Sequence, residues 1–224
     1  MAVTDEAIAG IKQMIVSGEI GPGDRLPPEK ELSEKLGLSR SSLREAVKAL
    51  EVIRVLDVRR GDGTYVTSLE PHLLLEAMSF VVDLHQDDSI LEIFAVRRML
   101  EPQATALAAR EASDDDVADI RSLLDSLGTD PDIDELIAHD IDFHNRVARS
   151  AGNAYLASLL ESLSGRTVRA RVWRAITEGG SVERTIGEHH AILDAVANRD
   201  PNLASALMTA HVAGVEEWVR RSVQ

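Results

Sequence analysis

The stretch Leu26–Glu51, LPPEKELSEKLGLSRSSLREAVKALE, decides the fold of the chain's first part. Leu32, Leu36, Leu43, Val47 and Leu50 recur at three- and four-residue steps, which predicts two helices, each with one apolar face. Between them lies Gly37-Leu38-Ser39. The glycine permits a tight turn, and the Ser39 hydroxyl can cap the second helix. That helix opens with Arg40-Ser41-Ser42 and carries Arg44 and Lys48 off the apolar positions. A basic, hydroxylated helical face suits the major groove of duplex DNA, with arginine for guanine edges or phosphates and serine for either. A solvated helical hairpin with ordinary surface charge has the same spacing, so the neighbouring sequence has to decide.

Upstream, residues 5–17 read as a helix with Ile8, Ile11, Met14 and Ile15 on one face, and residues 19–26 as a turn-rich connection. Downstream, residues 55–67 hold two short β-branched runs around Gly61-Asp62-Gly63, a hairpin signal with Arg59 and Arg60 at its tip. Arginines there can meet phosphates or a minor groove. Three helices and a basic-tipped hairpin make a winged helix-turn-helix.

The net charge of −14 argues at first against nucleic acid, but it is unevenly spread. Residues 1–68 hold 10 basic and 11 acidic residues, and residues 69–224 hold 14 and 27. Within 40–60 there are six basic residues against three acidic ones. A nearly neutral head with a basic patch precedes a strongly acidic body. The chain has no cysteine, which excludes disulfides and thiolate sites. No apolar run approaches the roughly 20 residues that span a bilayer, and the N-terminus lacks a signal-peptide pattern. The expectation is a cytoplasmic protein with no membrane partner.

Residues 5–67 resemble the DNA-binding domain of the GntR family of bacterial transcription regulators, through GDRLPPEKELSEKLGLSRSSLREAVKALE followed by RRGDGTYV. The resemblance implies that Lys30, Arg40, Ser42 and Arg44 face DNA, with Arg60 and Gly61 at the wing. Pro28 stands where the family usually has serine, and Arg54 where glycine normally ends the recognition helix. The Pro27-Pro28 pair can still start a helix, since proline suits its first turn.

The domains are therefore expected at 1–68 and 69–224, joined by a short linker at 68–71. From Pro71 onward the pattern predicts helices at 71–84, 89–112, 114–127, 132–150, 153–178 (with a break near Gly165), 181–198 and 201–222. Ser89, Asp114 and Ser181 are candidate caps. Seven helices predict an all-α antiparallel bundle, an architecture that builds ligand sites between facing helices. The fold class is mainly α.

Asp140 and His144 are four apart on one predicted helix and project from the same face. His189 lies on a later helix and His211 on the last. Together they offer three imidazoles and a carboxylate, a donor set for a divalent ion: zinc, with nickel or manganese as alternatives. Four protein ligands leave positions open in an octahedral shell for a small carboxylate. The competing reading is that these are ordinary surface or core histidines.

Residues 71–222 resemble the ligand-binding (FCD-type) domain of the FadR subgroup of GntR regulators. The matching segments are AVRRMLEPQATALAA (95–109), DIDFHNRVARSAGN (140–153), EHHAILDAV (188–196) and DPNLASALMTAH (200–211). The resemblance implies that Asp140, His144, His189 and His211 are the metal ligands. Members that bind long acyl chains lack this set. It also matches Arg97 to an arginine that pairs with an effector carboxylate, which a guanidinium fork suits. The alternative for Arg97 is a helix salt bridge with Glu101.

His139 and His190 each neighbour a proposed ligand and point roughly 100° away along the helix. His72 and His85 read as surface residues, and Trp173 and Trp218 as helix packing rather than cavity lining.

The expected function is transcription regulation, repression in particular. A homodimer would sit on a palindromic double-stranded operator and respond to a small organic acid. The rival is a metal-dependent enzyme with a helix-turn-helix appendage. The chain lacks H-E-x-x-H, and no glutamate lies three residues before any of its seven histidines.

Overall fold

The computed structural model describes residues 3–70, 73, 90–128 and 131–222. The chain separates into two compact units, residues 1–81 and 82–224. The expected helix 71–84, the Ser89 cap, His72 and His85 lie outside the described residues.

The first unit comprises α1 (Val3–Val16), α2 (Glu29–Leu36), α3 (Arg40–Val52) and an antiparallel hairpin of β1 (Leu56–Arg59) and β2 (Gly63–Val66). Its core joins Ile11 and Met14 of α1, Leu32 of α2, Leu43 and Leu50 of α3, and Leu56 and Val66 of the hairpin. The leucines picked out by spacing thus face one another. The turn-rich connection contributes more than a turn. Val66 donates its amide to Asp24 (2.9 Å), while Gly23 and Leu26 donate to Val66 and Thr64 (2.9 and 2.8 Å). This edge ties the wing to the helices.

Capping explains how α3 is aimed. Gly37 ends α2 at φ 68°, in the left-handed region that glycine enters without a Cβ penalty. The Ser39 side chain then accepts the amide of Ser42 at 3.1 Å. Ser39→Ala is expected to cost about 1 kcal/mol, measured by urea unfolding of the whole chain; an unchanged midpoint would deny the cap its role.

The two departures at helix ends resolve differently. Pro28 is the N-cap rather than a first-turn residue, and it supplies no side-chain cap. Its carbonyl accepts the amide of Leu32 at 3.0 Å, and Glu29 and Glu31 place negative charge in the first turn. Arg54 adopts φ 60°, the conformation a glycine would take. Val55 donates to Leu50 (2.9 Å) and Arg54 to Glu51 (3.0 Å), closing α3 in a Schellman turn. An L-residue in that conformation costs roughly 1–2 kcal/mol. Burial of Leu50 beside the half-buried Val55 helps offset it.

The second unit is helical throughout its described part: α4 (Ile90–Glu111), α5 (Asp114–Ser126), α6 (Ile133–Arg149), α7 (Ala154–Thr177), α8 (Ser181–Ala197) and α9 (Pro201–Ser222). Phe94, Phe143, Ile192, Leu193, Met208 and Val212 form the centre of its core. Helix α7 runs unbroken through Gly165, so the expected break there is absent.

Two caps differ from expectation. Ser113, not Asp114, caps α5, in a reciprocal box with Asp116. Gly180 precedes α8 in a left-handed conformation, and Ser181 is instead its first residue, its hydroxyl donating to the Arg174 carbonyl at 3.3 Å. Helix α4 buries polar residues as well as apolar ones, and Arg97, Glu101 and Thr105 follow one another at steps of four along it. Among the described residues, no helix is long and apolar enough to cross a membrane.

Candidate metal centre and nucleic-acid interface

Three helices of the second unit converge on one point. Helix α6 carries Asp140 and His144 one turn apart, α8 carries His189 and α9 carries His211. One ligand atom from each lies within 4.8 Å of all the others. Nε2 of His144 and Nε2 of His211 are 3.3 Å apart. Oδ1 of Asp140 lies 3.8 Å from Nε2 of His144 and 3.6 Å from Nε2 of His189. Metal–nitrogen bonds of about 2.0–2.1 Å would set two imidazole nitrogens on one ion roughly 3.0–3.4 Å apart. The donor types and the tightest spacing therefore fit a divalent ion.

The most telling residue is His189. It is 1% exposed, its ring stacks on Phe143 at 4.0 Å between centroids, and neither ring nitrogen has a hydrogen-bond partner. A buried polar atom left unpaired costs about 1–3 kcal/mol. Burial first, and then the neighbouring His211 and His144, push the His189 imidazole well below its ordinary pKa. Burial also lowers His211, against an opposing pull from Glu188. Both rings are therefore neutral near pH 7, the form in which imidazole binds metal.

Two carboxylates stand behind this cluster. Glu188 Oε2 contacts His211 Nδ1 at 2.7 Å, leaving Nε2 facing inward. Oε2 of Glu101 lies 2.8 Å from Nδ1 of His144, away from the line of an N–H bond. A carboxylate bonded as Glu188 is orients an imidazole for a metal. Burial opposes the charge on Glu101, but Arg97 and His144 outweigh it and hold the carboxyl below its ordinary range. Arg97 is itself buried, with Nε on Glu101 and Nη1 donating to Thr167 at 2.6 Å. The salt-bridge alternative is thus the arrangement present for Arg97.

Sequence reasoning passed over Arg171. Its Nη1 pairs with Oδ2 of Asp140, and its Nη2 donates to the Ser164 carbonyl at 2.6 Å. Burial and the nearby Arg97 bring its pKa down to about 9, so it remains a cation at neutral pH. Arg171 lines a cavity of about 70 Å³ together with Asp140, His189, His211 and Arg174. The other walls are largely aliphatic. His139, as expected, turns from the cluster and meets the Leu123 carbonyl at 2.9 Å. Trp173 is 59% exposed, neither packed between helices nor in the cavity wall, whereas Trp218 packs against the core. An i, i+4 search across α4 and α6 would have paired Glu101 with Arg97 but not with His144. Only the tertiary crossing of those helices does that.

On the first unit, Lys30, Arg40, Arg44, Arg60 and Gly61 are exposed and Ser42 is half-buried. Arg44 pairs across to Glu29 of α2 at 3.1 Å, an exposed contact that is easily exchanged. The Ser42 hydroxyl is shared with Ser39 at 2.9 Å. In the wing, Arg59 is held over the Tyr65 ring at 4.2 Å and bonded to Asp57 at 2.9 Å. Arg60 and Gly61 form the turn itself.

Residues 3–66 match the bacterial regulatory proteins of the gntR family, and residues 92–214 match the FCD domain. The HTH-type transcriptional regulator LutR of Bacillus subtilis is 31% identical over 91% of this chain and 95% of its own length. The galactonate operon transcriptional repressor of Escherichia coli is 28% identical, over 94% and 93%. Among solved structures, the Streptococcus agalactiae GntR is similar with a TM-score of 0.73 and 25% identity, over 96% of this chain and 99% of that one. These relatives are transcriptional regulators, not enzymes. A winged head matched over its whole length, a helical body carrying the FCD match and full-length similarity to LutR agree: the chain belongs to the GntR family of DNA-binding transcriptional regulators, with an FCD domain as its helical body.

Proposed function

We propose that this chain is a metabolite-responsive repressor of the FadR subgroup, acting in the cytoplasm as a homodimer on a palindromic operator. Its DNA-reading domain is residues 1–68 and its effector domain residues 69–224. In this reading Lys30, Arg40, Ser42 and Arg44 meet the operator from α2 and α3, and Arg60 and Gly61 meet it from the wing. Asp140, His144, His189 and His211 hold one divalent ion, zinc by the preference of three imidazoles and a carboxylate. The observation that carries the metal is His189, fully buried with both nitrogens unpaired beside three other donors.

A bound ion would supply a positive centre for an effector carboxylate. The chain's own residues do the rest. Glu188 orients the His211 imidazole, Glu101 sets a negative charge beside His144, and Arg171 offers a guanidinium in the cavity wall. The sequence-matched effector arginine, Arg97, supports the site through Glu101, and Arg171 takes the place of carboxylate partner. The galactonate operon repressor among the relatives supports an organic acid as the effector class. Such a ligand changes DNA affinity only by binding the DNA-competent and incompetent states differently.

The test is titration of a fragment containing a palindrome from the region upstream of the encoding gene, with and without candidate acids. Zinc-loaded protein is expected to bind it about a thousandfold more tightly than random DNA at fixed salt, and an acid to reverse this. Equal affinity for both DNAs would sink the regulator reading.

A further inference from the structure

The cavity wall beyond the candidate metal centre is apolar, and that determines what kind of acid fits. Leu136 and Ile137 come from α6, Val168 and Val172 from α7, and Val182 and Ile186 from α8. All six are only half-buried, because their side chains border this space rather than the core. Arg171, Asp140, His189 and His211 meet at one end, and the lining also carries Arg174, whose Nε donates to Glu178 at 2.6 Å. Only two hydroxyls line the cavity among the described residues, those of Ser181 and Thr185. The Ser181 hydroxyl is spent on the Arg174 carbonyl, and the nearby His139 ring on the Leu123 carbonyl. Thr185 is left to meet a ligand hydroxyl.

We infer that the effector is a short monocarboxylate with an aliphatic tail, its carboxylate at the metal and Arg171 and its tail among these six side chains, and not a polyhydroxylated sugar acid. This rests on the metal-and-carboxylate reading of the site. Two magnitudes support it. Each methylene taken from water into such a wall strengthens binding about fourfold. Each hydroxyl buried there without a partner weakens it by about tenfold or more. Beyond its 2-hydroxyl, a six-carbon sugar acid carries four hydroxyls into a wall whose polar groups are the Thr185 and Ser181 hydroxyls and the Arg174 guanidinium. The size agrees. A cavity of about 70 Å³ holds on the order of five waters, or a chain of a few carbons.

The experiment is calorimetric titration of the zinc-loaded full chain with glycolate, lactate, 2-hydroxybutyrate, 2-hydroxyvalerate and gluconate. All five share the carboxylate and the 2-hydroxyl, so only the tail varies. Affinity is expected to rise roughly fourfold per methylene, about sixtyfold from glycolate to 2-hydroxyvalerate, with gluconate weaker than 2-hydroxyvalerate. Ile137→Ala should flatten the series, weakening 2-hydroxyvalerate more than glycolate, with an unchanged circular-dichroism spectrum verifying that the variant is folded. Gluconate binding as tightly as 2-hydroxyvalerate, or a flat series in the unmodified chain, overturns the tail preference alone. If no 2-hydroxy acid binds the zinc-loaded chain, the carboxylate reading of the site falls and the tail preference with it.

Discussion

The His189→Ala chain is expected to bind zinc at least about a hundredfold more weakly than the parent, measured by competition with a chromophoric chelator. Losing a carboxylate that merely orients a ligand costs about 10–100-fold, and losing one of four direct donors costs no less. A second consequence follows by linkage. At zinc a thousandfold above its dissociation constant, a bound ion adds about 4 kcal/mol to folded-state stability. In a chain of this size that corresponds to roughly 10 °C in Tm. Zinc should therefore raise the Tm of the parent by about that much and leave His189→Ala unmoved. Without zinc, the variant gains by removing two buried unpartnered nitrogens but loses the stack on Phe143 and leaves a cavity, so the zinc-dependent change in Tm is the readout. Undiminished zinc affinity in the variant would place the ion elsewhere.

The second large effect is expected at Arg44→Ala. An arginine on base edges or phosphates contributes about 1–3 kcal/mol per half-site. Two copies on a palindrome make the loss on the order of a thousandfold in operator affinity, measured by fluorescence anisotropy at fixed salt. Stability should barely change, since the ion pair lost among the described residues is the exposed one with Glu29. Zinc content should also stay the same. An Arg44→Ala chain that binds its operator normally would move DNA recognition off this face of α3.

These two residues also mark what could be read from the sequence. Arg44 was legible from spacing alone, because helix periodicity separates it from Leu43, Val47 and Leu50, and those three pack as the pattern requires. The winged head and the helical body were legible for the same reason: short-range periodicity and turn residues carry them. Asp140 and His144 shared a face by their four-residue step. No local rule brings His189 and His211 to that face, and the resemblance supplied what periodicity could not.

The residues that went unseen act across helices. Arg171, Glu188 and Glu101 reach the cluster through crossings of α7, α8, α9, α4 and α6 that leave no local signal. Glu101 was visible only as the i+4 partner of Arg97, although its other oxygen faces His144. Caps failed where two polar residues adjoin, as with Ser113 for Asp114, since either can cap and only the backbone angle decides.

Asp140 stands between a guanidinium and the imidazole cluster, with Oδ2 given to Arg171 and Oδ1 turned toward His144 and His189. A metal arriving there meets a carboxylate with one oxygen already committed. Asp140 would then hold it through Oδ1, the oxygen that faces His144 and His189. A carboxylate free to chelate through both oxygens would fill a further position on the ion. By holding one of them back, Arg171 would leave Asp140 a single oxygen for the proposed ion and leave room beside it for the proposed acid.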